Sequence, residues 1–199
     1  MEFCEDQAAN GVAYTEARFS PHLMASEEVG AEEMLRAVLE GFREGEEKFG
    51  TKVRVIVCLI RGMSHFARDT LRLAEKYRGE GVVGIDIAGD EASCAGDSEL
   101  KLDPLEVSVF KEAHRLGVHR TVHAGEAGPP GAVAQALDEM HAERIGHGYQ
   151  VLQDAALYKR CLRDRVHFEC CPKVMSCLMT SEEFQLSCKT ILEDLANED

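Results

Sequence analysis

The chain has 199 residues, 45% of them hydrophobic and 29% charged, a composition that suits a globular protein with a sizeable core. Its 22 basic and 36 acidic residues leave a formal charge of −14, which disfavours nucleic acid and anionic membrane surfaces as partners. No apolar run approaches the length of a membrane span, the eight cysteines contain no C-x-x-C pair, and the opening "MEFCEDQAANG" is acidic without an apolar core, so the expectation is reduced thiols and a cytoplasmic location.

Strand-like and helical runs alternate along the chain. "GVAYTEARFS" (11–20) reads as the first strand. A helix over 31–48 follows, with Met34, Leu35, Val38, Leu39 and Phe42 in one apolar stripe. "KVRVIVCLI" (52–60) is the second strand, and Ser64 is placed to cap a helix carrying Phe66, Leu71 and Leu73, stopped by Gly79 and Gly81. After "GVVGIDIAG" (81–89), Asp103-Pro104 starts a helix that Gly117 ends. "HRTVHAG" (119–125), a helix over 131–142, "ERIGHGY" (143–149), a helix over 154–163 and "RVHFECC" (165–171) complete the alternation. Beyond Pro172 the strand pattern stops. A helix over 181–196 is expected there, with Thr180 and Glu183 at capping-box spacing. Strands separated each time by a helix demand a parallel sheet with helices on its faces.

Chemically useful side chains gather at the strand C-terminal ends: Glu16 and Arg18, Asp86 and Asp90, His123 and Glu126, His147, Glu169. In α/β barrels that edge carries the active site. A neutral imidazole at His123 suits zinc, and a carboxylate a few residues on, at Glu126, suits proton transfer. In "GHGY", glycines on both sides of His147 permit close approach of a ligand or backbone. In "DIAGDE", the Gly89 N–H is available to a ring nitrogen. "HAE" at 141–143 matches half of the cytidine-type zinc deaminase signature, but the required downstream P-C-x-x-C is absent.

Taken in order, "GVAYTEARFSPHL", "DIAGDE", "HRTVHAGE", "ERIGHGY" and "HFECCP" resemble the adenosine deaminase family from residue 1 to about 172. That resemblance implies a zinc-dependent (β/α)8 barrel that hydrolyses adenosine and deoxyadenosine to inosine and deoxyinosine. It implies His123 as a metal ligand and Glu126 as the acid that protonates the purine ring. It also implies His147 as the histidine that orients the attacking hydroxide, and Gly89 as a backbone donor to the purine. The family's first-strand His-x-His and last-strand Asp-Asp occur nowhere in the chain. The expectation is therefore an incomplete TIM (β/α)8 barrel retaining about strands two to seven over 1–172, with a divergent, non-family helical tail over 173–199. Its zinc binding should be weak or absent and its activity little or none; the alternative is a non-catalytic interaction protein or an unstable truncated product.

Overall fold

The computed structural model describes residues 1–97 and 99–171; the helix expected over 181–196 lies outside them. These residues form two compact units. The first comprises Met1–Gly89, Leu102–Val122 and Glu139–His141, the second the described residues of Asp90–Lys101, His123–Asp138 and 142–171.

The first unit opens with α1 (Glu2–Ala9), β1 (Tyr14–Phe19) and the short α2 (Pro21–Met24). The long α3 (Ala31–Phe49) and β2 (Lys52–Ile60) follow. A 3-10 turn at Ser64–Phe66 then leads into α4 (Ala67–Lys76), and a second at Arg78–Glu80 into β3 (Val82–Ala88). α5 (Pro104–Arg115) precedes β4 (His119–Ala124), whose last two residues belong to the second unit. Strand β2 is buried over most of its length, as a parallel strand covered on both faces should be. Val55, Val57 and Leu59 of β2, Ile85 and Ile87 of β3, Leu73 of α4 and Phe110 of α5 are at most 1% exposed and form this unit's core.

Chain-end chemistry explains most departures from the predicted bounds. The first strand starts at Tyr14 rather than residue 11 because Gly11 (φ 74) and Val12, whose N–H donates to Gln7 O, close α1. Ser64 does not cap α4; its hydroxyl serves Asp103 instead, and no side-chain cap stands at the α4 N-terminus. Asp103 does cap α5, accepting from Leu105 N at 2.7 Å. In the α3 stripe Leu35 alone is fully buried, while Cys4 of α1 packs on Gly45, where a Cβ would meet its Sγ at 2.4 Å. The strand-end residues Arg18 and Asp86 pair at 2.9 Å, with Asp86 fully buried, an arrangement that knits β1 to β3. Cys58 beside them has its thiol pushed up by burial and by the Asp86 charge.

The second unit carries a 3-10 turn at Ala92–Cys94, α6 (Gly131–Asp138), β5 (Arg144–His147), a 3-10 stretch at Tyr149–Gln153, α7 (Ala155–Arg163) and β6 (His167–Glu169). Helix α6 stops four residues before its predicted end. Ala142 N returns to Ala136 O, and His141 adopts φ 53. Asp154 caps α7 through Ala156 N and Leu157 N, both at 3.0 Å. Arg165 (φ 51) and Val166, whose N–H reaches Cys161 O, close that helix, so β6 begins only at His167.

Among the described residues the strands form one sheet in chain order, β1-β2-β3-β4-β5-β6. The registered pairs β1–β2, β2–β3, β3–β4 and β5–β6 are parallel. Sequential parallel strands with intervening helices make the chain α/β, with the order of a (β/α)8 barrel read over six consecutive strands.

Candidate active site

Strand β4 delivers His123, which is half-buried, to its C-terminal end. Gly125 turns the chain with φ 68, a backbone that a side chain would strain, and a Cβ there would also meet Val133 Cγ2 at 2.9 Å. Glu126 is thereby presented just past the strand. Strand β5 delivers His147, 5% exposed, with φ 64. A left-handed histidine is an uncommon, strained conformation of the kind that gathers at working sites. Two backbone bonds tie the turns after these strands together: Gly148 N donates to Ala124 O at 3.1 Å and Gln150 N to Gly125 O at 3.0 Å.

His147 Nε2 and Glu126 Oε1 are 3.4 Å apart, and the His123 and His147 rings meet edge-on with centroids 5.3 Å apart. Sequence reading named all three, and the second unit brings them together. Gly89 belongs to the first unit; it ends β3 with φ 117, and a Cβ there would crowd Arg61 N at 3.4 Å.

The glycines of "GHGY" also serve the packing around His147. A Cβ on Gly146 would meet the His123 ring at 3.0 Å, and one on Gly148 would meet Phe168 Cδ1 at 2.3 Å. They make room for neighbouring side chains that pack across β4, β5 and β6. Tyr149, nearly buried, donates its hydroxyl to Cys170 O, and Arg144 pairs with Glu169 at 3.3 Å. The strand-end Glu169 thus serves an ion pair.

One residue of this site escaped the sequence reading. Glu91, 2% exposed, accepts four consecutive backbone N–H groups. Gly125 N donates to Oε1 at 2.9 Å, while Glu126 N, Ala127 N and Gly128 N donate to Oε2 at 2.8, 2.9 and 3.0 Å. Asp90 beside it accepts from Ser93 N at 3.2 Å and shapes the turn that carries Glu91 inward. In sequence, the acidic pair of "DIAGDE" looks like a solvated strand end. Its donors lie 34 to 37 positions further on, beyond any local pattern.

Chemically, a carboxylate beside an imidazole can carry a proton, and the imidazole can stabilise charge on an attacking oxygen. A catalytic zinc takes three protein ligands and a water. Among the described residues, no group of three or more His, Cys, Asp or Glu is placed to hold a metal ion, so these residues by themselves do not fit a zinc site.

The adenosine deaminase family model matches residues 1–186. An adenosine deaminase of Danio rerio is 42% identical over 183 residues, covering 86% of this chain and 50% of the relative. An adenine deaminase of Arthrobacter aurescens superposes with a TM-score of 0.70 at 27% identity, over 84% of this chain and 49% of the other. A Burkholderia ambifaria amidohydrolase, solved with bound Zn, gives 0.74 at 25% identity over 84% and 45%. The chain spans about half the length of the curated relatives it matches.

Proposed function

The chain belongs to the adenosine deaminase family, and from that premise we propose that its second unit carries the proton-handling part of a purine-nucleoside deamination site. The observation that carries the reading is the Glu126–His147 pair, 3.4 Å apart and flanked by His123. In hydrolytic deamination, water replaces the exocyclic amino group, and ammonia leaves. Glu126 delivers a proton to the ring nitrogen next to the attacked carbon, which makes that carbon electrophilic. His147, within reach of Glu126, stabilises the charge that develops on the attacking oxygen.

The same reading sets the level of activity. His123 is the one family metal ligand carried over from the sequence, and neither His-x-His nor Asp-Asp occurs in the chain. A single imidazole cannot hold a catalytic zinc tightly. This chain therefore recognises adenosine or deoxyadenosine and turns them over little or not at all.

Adenosine titration of the purified chain, followed by a deaminase assay with added zinc and metal analysis, tests both halves. Expected are adenosine binding weakened by Glu126→Gln and inosine formation at or near background. Stoichiometric zinc with inosine production that Glu126→Gln abolishes would overturn the low-activity half. A chain that neither binds adenosine nor converts it would overturn the site itself.

A further inference from the structure

The Glu91 carboxylate is an unusual internal anion. It is nearly inaccessible, and four successive main-chain N–H groups, Gly125 to Gly128, converge on it at 2.8 to 3.0 Å. Successive N–H groups aimed inward form a concave anion-binding nest, and hydrogen bonds to an ionised acceptor are roughly twice as strong as neutral ones. The nest spans the very residue whose side chain faces His147. Glu126 gives its backbone N–H to Glu91 Oε2 and points its own Oε1 toward His147 Nε2.

Both oxygens of the buried carboxylate are used, one taking Gly125 N and the other the remaining three. The packing leaves little slack, because a Cβ on Gly128 would stand 3.1 Å from Glu91 Oε1 and 3.1 Å from Leu100 Cδ2. Leu100 is held in turn by Gln135, whose Oε1 accepts from Leu100 N at 2.8 Å and whose Nε2 donates to Leu100 O at 3.1 Å.

We propose that Glu91 is the positioning residue of the site: by gripping the backbone from Gly125 to Gly128 it fixes the direction in which Glu126 presents its carboxylate. The assignment of Glu126 as proton carrier rests on the function proposed above; the grip itself rests on geometry alone. Glu91 touches no reacting atom and acts through Glu126.

Glu91→Gln keeps the shape and removes the capacity. Whichever way the amide lies, its –NH2 end opposes at least one of the four donors. Amide hydrogen exchange and amide proton shifts, followed by NMR in the full chain, read the grip directly. In the wild type all four amides should be protected; in Glu91→Gln they should exchange about ten- to a hundredfold faster, with α6 and α7 unchanged. Adenosine titration reads the consequence for Glu126. Glu91→Gln should weaken binding about as much as Glu126→Gln, and the double variant no further, since two changes acting through one group do not add.

Additive losses would show that Glu91 acts elsewhere and would overturn the proposal. So would wild-type amides at 125–128 that exchange as fast as open loop. A wild-type chain that binds no adenosine would count against the deaminase reading, leaving the amide measurement to decide the grip. If Glu91→Gln does not fold, Gly128→Ala presses on the same carboxylate. It should raise exchange at Gly125 first, whose N–H is held by the oxygen that the new methyl would crowd, and unchanged protection there would also overturn the proposal.

Discussion

Gly146 and Gly148 stand on either side of His147 for separate reasons, and both bear on how the histidine is held. Gly146 admits the His123 ring, whereas Gly148 combines φ 72 with a floor made by Phe168. A methyl at Gly148 must displace that ring or unwind the left-handed turn. Overpacking and a left-handed side chain each cost on the order of 1 to 3 kcal/mol. Gly148→Ala should therefore lower stability by about 3 kcal/mol, read as a reduced urea midpoint.

At the scale of the element, α5 shows how one helix can hold two carboxyls of opposite behaviour. Asp103, at its N-cap, is held below the ordinary aspartate range by the Ser64 hydroxyl and the Leu105 N–H. Glu106, three residues on and 4% exposed, is pushed up by burial, against the pull of Arg61 and the Gly62 N–H. A raised folded-state value means that the unfolded chain ionises more easily. The Glu106 contribution is thus complete below the ordinary value of 4.5 and declines as pH rises through the folded value. Gln cannot undergo that decline. Thermal unfolding of Glu106→Gln should show its largest deficit against wild type at about pH 4 and a smaller one at about pH 8; a deficit that grows with pH would contradict the sign.

Elements of this kind were readable where one physical signal dominated. β2 was read as a near-continuous apolar run with its bounds intact, and the start of α5 from Asp103-Pro104. Errors fell where one residue had two possible duties. Gly11-Val12 and Arg165-Val166 look like strand but close helices, and Ser64 looks like a cap but bonds to Asp103. In the site, His123, Glu126 and His147 were legible because they are polar residues at strand ends. Glu91 was not, because its partners are 34 to 37 positions away.

On the scale of the whole molecule, the chain covers about half of its relatives' length, and β1 and β6 are the end strands among the described residues. Open strand edges invite further pairing. The formal charge of −14 adds long-range repulsion between copies.

The carboxylate that grips residues 125 to 128 also dates the site within the folding reaction. Its four donors are 34 to 37 positions downstream, so the grip closes a long loop whose entropy must be lost before any of these bonds forms. Pairing of β3 with β4 already closes a loop of that size, Gly84 to His119, so the grip is expected to tighten on a ladder already in place. Glu91→Gln should consequently speed unfolding in stopped-flow experiments while leaving the refolding rate nearly unchanged. The chain would then acquire its framework first and its acid–imidazole pair last.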